Sequence, residues 1–261
     1  MTFGLKSKGR VKLKKKSVEI DSSRSTQFAT AVTLAFADTD LDIKPVKLEN
    51  SKQYFELTNH LVKSFQDQKL DYFVPVDYSS LSYPLAAGAV FGRVHISNCF
   101  KIDEFQPDSI LIELLKKMGA HIKIDNRGLF VDNSKSLSGL DIDCSGFPDL
   151  TPTLAFVCAY ASGESRLKNL GVLRHKESDR VEEIKKVLKA FSVKFSYDNE
   201  NELMTIYGNT SSSCEYKEFY PPADHRIVMI SYLFMRANNG GTLHNAHHVN
   251  KSFPGFFELM D

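Results

Sequence analysis

Seven consecutive residues, Arg174-His175-Lys176-Glu177-Ser178-Asp179-Arg180, gather strong cations, carboxylates, an imidazole and a hydroxyl where a helix begins. The helix start is signalled by Asp179 and Glu182 at capping-box spacing, and by Val181, Ile184, Val187, Leu188 and Phe191 on one apolar face. That helix needs none of the charges in order to pack. Lys176 and Arg180 stand beside the free backbone N–H groups of the first turn, so side-chain cations and the positive end of the helix dipole can hold a phosphate or carboxylate together. Glu177 is an odd neighbour for an anion unless it moves protons. Repulsion from a bound anion should raise its pKa toward usefulness. The alternative is a solvated helix start with local ion pairs.

Composition leaves any anion specificity to local clusters. The chain has 261 residues, 42% of them hydrophobic, which suits one large domain or two modest ones with a buried core. The formal net charge is only +1, so bulk electrostatics advertise neither nucleic acid nor an anionic membrane. One basic run, Lys6 to Lys16, alternates Val11 and Leu13 with lysines and fits an exposed edge strand better than a nucleic-acid contact. Cys99, Cys144, Cys158 and Cys214 are widely spaced, without a CxxC pair or a Cys/His cluster of zinc spacing, so free thiols in a reducing cytosol are expected. The opening residues lack the apolar core of a secretory signal, and no apolar run is long enough to span a membrane, so the sequence points to a cytoplasmic protein.

The elements that must position the charged cluster recur along the chain. Each unit has a polar opening, a short helix of small apolar residues, a strand, a longer amphipathic helix and a strand pair. The openings are Ser25-Thr26-Gln27-Phe28, Asp77-Tyr78-Ser79-Ser80, Pro148-Asp149-Leu150-Thr151 and Ala223-Asp224-His225-Arg226. Strands are expected at Leu41 to Val46, Arg93 to Asn98, Ser165 to Asn169 and Thr242 to Asn245, and longer helices at Ser51 to Phe65, Asp108 to Met118 and Asp179 to Phe191. His121 to Ile124 and Leu129 to Val131 form a hairpin across Asp125 to Gly128, and Val193 to Tyr197 with Met204 and Ile206 repeats it. The fourth unit ends within its second helix at Ser252-Phe253-Pro254. The fold class is α/β, built from βαβαββ modules that bury their helices against one another and put sheets outside, so helix N-termini can converge on one face.

Taken in order, Ser25-Thr26-Gln27-Phe28, Ser51-Lys52-Gln53-Tyr54, Asp77-Tyr78-Ser79-Ser80-Leu81-Ser82-Tyr83, Pro148-Asp149, Arg174 to Arg180, Asp224-His225-Arg226 and Lys251-Ser252-Phe253-Pro254 resemble the motifs of the enolpyruvyl transferases, in the branch that uses shikimate 3-phosphate. The resemblance implies an inside-out α/β barrel of six modules, three per domain, with the active site between domains. It places the last module of the N-terminal domain in residues 1–74 and the C-terminal domain in residues 75–261. The first two modules, with an early catalytic lysine and early arginines, are then expected outside this chain.

That family moves the enolpyruvyl group of phosphoenolpyruvate onto the 5-hydroxyl of shikimate 3-phosphate and releases phosphate, with no metal or organic cofactor. The resemblance assigns Asp149 to the reacting hydroxyl as base, with a plain N-cap as its alternative. Glu177 becomes the proton shuttle at the methylene carbon, against mere pairing with Arg174 or Lys176. Ser25, Thr26, Gln27, Ser51, Tyr54, Asp149 and Lys176 are expected around shikimate 3-phosphate, and Gln27, Arg180, Arg226 and Lys251 around phosphoenolpyruvate. His225 is expected to be a packed residue, and Asp224 to orient Arg226. Two positions depart from the family pattern: Val172 replaces a polar residue, usually asparagine, that bonds substrate, and Thr26 replaces a serine while keeping the hydroxyl. The expected partners are the two small-molecule substrates and a separate N-terminal fragment or the rest of a longer chain, with no nucleic acid and no membrane. The competing reading is a vestigial homologue that binds an anion without turnover.

Overall fold

The computed structural model describes residues 16–23, 25–48, 52–66, 73–208 and 215–261. The expected strand at Lys6 to Lys16, Ser51 and Cys214 lie outside the described residues, save for Lys16 itself. The chain divides into two compact units between Tyr72 and Phe73.

The first unit runs β1 (Ser17–Asp21), α1 (Gln27–Ala35), β2 (Asp42–Val46) and α2 (Lys52–Gln66). β1 and β2 pair in parallel, Ser17 opposite Asp42 through Asp21 opposite Val46, so α1 is a crossover between them. α1 and α2 pack together, with the Thr30 and Thr58 hydroxyls 3.2 Å apart. Ala29 and Phe55 are the buried apolar residues of this unit among those described, whereas Phe28 and Leu34 are about half exposed.

The second unit holds three further modules. The first comprises α3 (Tyr78–Val90), β3 (Arg93–Ile96), α4 (Ile110–Lys117), β4 (His121–Asp125) and β5 (Gly128–Asp132). The next comprises β6 (Asp141–Asp143), α5 (Thr151–Tyr160), β7 (Glu164–Lys168), α6 (Arg180–Ala190), β8 (Lys194–Asp198) and β9 (Leu203–Tyr207). The last comprises β10 (Lys217–Phe219), α7 (His225–Ala237), β11 (Gly241–Leu243) and α8 (Phe256–Met260). Sheet wiring repeats with the modules: β6-β7-β9-β8 in one, β3-β5-β4 in another, each closed by an antiparallel hairpin. β6 pairs in parallel with β7, as β10 does with β11.

Helices α3 and α5 are apolar nearly all round and almost wholly buried, and α7 is buried along most of its length. α4 and α6 bury one face each, through Leu111, Ile112, Leu114 and Leu115 and through Val181, Ile184, Val187 and Leu188. The sheets lie outside: β7 buries Ser165 and Leu167 while Glu164, Arg166 and Lys168 face solvent. At Gly88, α3 comes so close to the β3–β5 sheet that a Cβ would lie 2.6 Å from Val131 Cγ1, which glycine alone avoids. Among the described residues no helix is long and apolar enough to cross a membrane.

Several boundaries differ from expectation. The helix expected from Asp108 begins as a 3-10 turn, Pro107–Ser109, before α4. The fourth module does not end in a helix at Ser252-Phe253-Pro254: a 3-10 segment, Ala246–Lys251, closes there, and α8 starts after Gly255 in a left-handed conformation. Pro254 cannot donate into a continuing helix and biases Phe253 away from helical backbone, which separates the two pieces.

Candidate active site

Three helix entrances of the second unit meet at one guanidinium. Asp179 caps α6, its Oδ1 accepting from the Glu182 backbone N–H at 3.1 Å, and this fixes Arg180 in the first turn. The Arg180 side chain is only 1% exposed. Its Nη1 donates to Asp149 Oδ1 at 2.8 Å, its Nη2 to Glu177 Oε2 at 2.6 Å, and its Nε to Asp224 Oδ2 at 2.8 Å. Asp149 comes from the 3-10 turn Pro148–Leu150 before α5, and Asp224 caps α7 by accepting from the Arg226 backbone N–H at 3.0 Å. Ser178 adds its hydroxyl to Asp224 at 3.0 Å.

The remaining cations stand around the same carboxylates. Lys176 Nζ lies 3.2 Å from Asp149 Oδ1, and Lys251 Nζ lies 2.8 Å from Glu177 Oε1. Arg226 donates through Nη1 to the Asp149 carbonyl at 3.2 Å and holds Nη2 3.5 Å from Asp149 Oδ2. Lys176, Arg180, Arg226 and Lys251 thus face Asp149, Glu177 and Asp224, with Arg180 and Asp224 buried and Lys251 open to solvent. Such a cluster suits an anion carrying phosphate or carboxylate. Among the described residues no group of three or more His, Cys, Asp or Glu side chains is arranged to hold a metal ion.

The electrostatics show how the cluster holds its carboxylates. Burial pushes the Glu177 carboxyl up, but the Lys251 hydrogen bond and the Arg180 charge outweigh it and bring the pKa down to about 2. Glu177 is held ionised by its two cationic partners, of which Arg180 is shared with Asp149 and Asp224. Its partners are Arg180 and Lys251, not Arg174 or Lys176; Arg174 pairs with Asp179 at 3.1 Å. Asp149 is likewise held well below the usual carboxylate range, since Arg226, Lys176 and Arg180 together overcome its burial. His225 is buried and pushed down from its ordinary value, first by burial and then by Arg226, so it is neutral near pH 7.

Two further readings change. The alternative of Asp149 as an N-cap fails, because neither the 3-10 turn nor α5 receives a side-chain cap there and the carboxylate is spent on cations. Asp224, expected to orient Arg226, accepts from that residue's backbone N–H, and its carboxylate also clamps Arg180. In the first unit Ser25, Thr26 and Gln27 stand at the entrance of α1, with Ser25 Oγ accepting from the Gln27 N–H at 3.2 Å. Thr26 is buried and supplies no cap, and Gln27 is exposed. Tyr54 lies half-buried on α2. Val172 is half-buried in the 3-10 segment Gly171–His175 that precedes Lys176.

The architecture, modules with helices inside and sheets outside, is that of the enolpyruvyl transferases. An EPSP synthase structure from Acinetobacter baumannii shares it with a TM-score of 0.61 at 27% identity, over 71% of this chain and 45% of that one. The enolpyruvyl transferase NikO from Streptomyces tendae shares the fold with a TM-score of 0.54 at 18% identity, over 71% of this chain and 42% of that one. A model of the family described as EPSP synthase (3-phosphoshikimate 1-carboxyvinyltransferase) matches residues 4–260, and the chain belongs to that family. The 3-phosphoshikimate 1-carboxyvinyltransferase of Aeropyrum pernix is 31% identical over 94% of this chain, and that of Pyrococcus abyssi 33% over 92%. The chain spans about 60% of the length of these curated relatives.

Proposed function

We propose that this chain carries the acid–base half of an enolpyruvyl transfer from phosphoenolpyruvate to the 5-hydroxyl of shikimate 3-phosphate, with release of phosphate. The observation that supports it is the bridging of Asp149 and Glu177 by one buried guanidinium, with Lys176, Arg226 and Lys251 around them. Asp149, ionised and close to Lys176, takes the proton of the attacking hydroxyl. Glu177 delivers a proton to the methylene carbon as the hydroxyl oxygen bonds to the central carbon, then takes a methyl proton back as phosphate leaves. An anion seated on Lys251, Arg226 and Arg180 draws on the charge that keeps Glu177 ionised, so its pKa rises on binding and the acid form becomes available. By the family resemblance Ser25, Thr26, Gln27, Ser51 and Tyr54 serve shikimate 3-phosphate, with residues 1–74 as the last module of the N-terminal family domain and residues 75–261 as the C-terminal domain. The share of the relatives that this chain does not span comes from the rest of a longer chain or from a separate fragment.

A second reading is an anion-binding homologue without turnover, for which the cations around Asp149 and Glu177 suffice. One experiment separates the two. The chain is assayed for phosphate release alone and together with a fragment supplying the remaining part of a relative. Turnover in the mixture, lost by roughly 10²–10⁴-fold in Glu177→Gln while calorimetry still detects shikimate 3-phosphate, is the expected result. Binding without turnover in every mixture selects the second reading, and no binding by folded protein rejects both.

A further inference from the structure

Beside the cluster stands a carboxyl that the proposed reaction does not use. Asp108 sits in the 3-10 turn before α4 and is 1% exposed. Its Oδ2 accepts from the Ser79 hydroxyl at 2.5 Å, and its Oδ1 is buried without a hydrogen-bond partner. Ser79 is itself fixed by Asp77, the cap of α3, which accepts from the Ser79 backbone N–H at 3.0 Å. The charged groups that face Asp108 are Arg226 from α7, Asp149 from the turn before α5, and Asp77. Tyr78 and Tyr83 on α3 are neutral, their phenols pushed up by burial, that of Tyr83 to about 12.

Burial opposes a charge on Asp108 and outweighs the attraction of Arg226, which acts on it more strongly than any other charge, and the Ser79 bond; its pKa is pushed up to about 6. Asp149 and Glu177 are held far lower. With Asp108 ionised, the four cations of the cluster are matched by four carboxylates. An arriving dianion upsets that balance, and the weakest acid in reach yields first.

We propose that Asp108 is a positioning residue: ionised, it is a second, buried counter-charge to Arg226 beyond its pairing with Asp149, and it takes one proton from solvent when an anion occupies that guanidinium. Proton uptake frees the charge of Arg226 for the ligand without moving either backbone. The inference rests on the cluster being an anion site, as under the proposed function.

Sulfate is the probe, because its charge does not change between pH 5 and 8. The full chain is titrated with sulfate by calorimetry at pH 7 in two buffers of different ionisation enthalpy, and its affinity is followed from pH 5.5 to 7.5. The expected result is uptake of up to one proton per sulfate and an affinity that falls by up to about tenfold per pH unit at the steepest point. Asp108→Asn, whose amide oxygen can still accept from Ser79, should bind sulfate with that uptake removed and the pH dependence flattened. Ser79→Ala, which withdraws a bond to the ionised form, should move the midpoint of the pH dependence upward; it also serves if the asparagine variant does not fold. Proton uptake unchanged in Asp108→Asn, or an unmoved midpoint in Ser79→Ala, overturns the role of Asp108. Sulfate binding that is absent, or indifferent to Arg226→Gln, overturns the anion site and this inference with it.

Discussion

The two units are built from the same repeat, yet they bury it differently. In the second, α3, α5 and α7 are enclosed and Arg180 is paired with Asp149, Glu177 and Asp224 out of water. In the first, α1 leaves Phe28 and Leu34 about half exposed, and the ion pairs among the described residues, Lys44–Asp42, Lys47–Asp21 and Lys52–Glu56, all lie in solvent. The difference teaches that one module carries the pattern of the fold but not its stability. Among the described residues, a crossover helix on a two-stranded sheet has little to cover it, whereas modules stacked on modules make an interior in which a buried charge cluster can be held.

The contrast can be broken or sharpened by substitution. Phe234→Ala removes a ring packed on Phe156, Tyr160 and Phe191 and should cost about 4 kcal/mol in denaturant unfolding, whereas Phe28→Ala should cost under about 0.5 kcal/mol. Equal costs would mean that Phe28 is enclosed in solution. Asp224→Asn keeps a helix cap but strips Arg180 of its most buried partner, for an expected loss of about 3 kcal/mol, read by the same unfolding curves. Acid provides a third measurement. Glu177 and Asp149 have lowered folded-state pKa values, so their stabilisation is complete above the ordinary carboxylate range and is lost as pH falls from about 4.5 toward 2. The unfolding midpoint should fall through that window, and less steeply in Glu177→Gln. The smallest effect is expected at Ser25→Ala, which removes one hydroxyl at the entrance of α1 and should weaken shikimate 3-phosphate binding by about 1 kcal/mol with turnover at saturation unchanged.

Much of this was legible in the chain. Apolar spacing located α6, and the Asp179 to Glu182 interval located its cap, because both signals are local. The β4–β5 hairpin was visible from its polar turn between apolar alternations. The strands that open three of the four modules were not: β1, β6 and β10 read SVEID, DID and KEF, too short and too charged to show a period, and parallel partners far along the chain define them. In the site, the motifs shared with the family foretold the gathering of Asp149, Lys176, Glu177, Arg180, Arg226 and Lys251, which residue type and spacing alone did not imply. They did not reveal the direction of the Glu177 shift or the clamp of Asp224 on Arg180, since both depend on which of several cations lies within hydrogen-bonding distance. Asp108 showed only as a helix opening, because nothing in Pro107-Asp108-Ser109 announces a neighbour from α7.

The convergence of the α5, α6 and α7 entrances on one guanidinium also gives the second unit an electrical axis. Peptide dipoles of several helices add at that end, and their field extends about a Debye length, roughly 8 Å in physiological salt, beyond the side chains that touch a ligand. An approaching anion is therefore turned and drawn inward before any hydrogen bond forms. For the anion proposed above, added salt should then slow arrival more than it hastens departure.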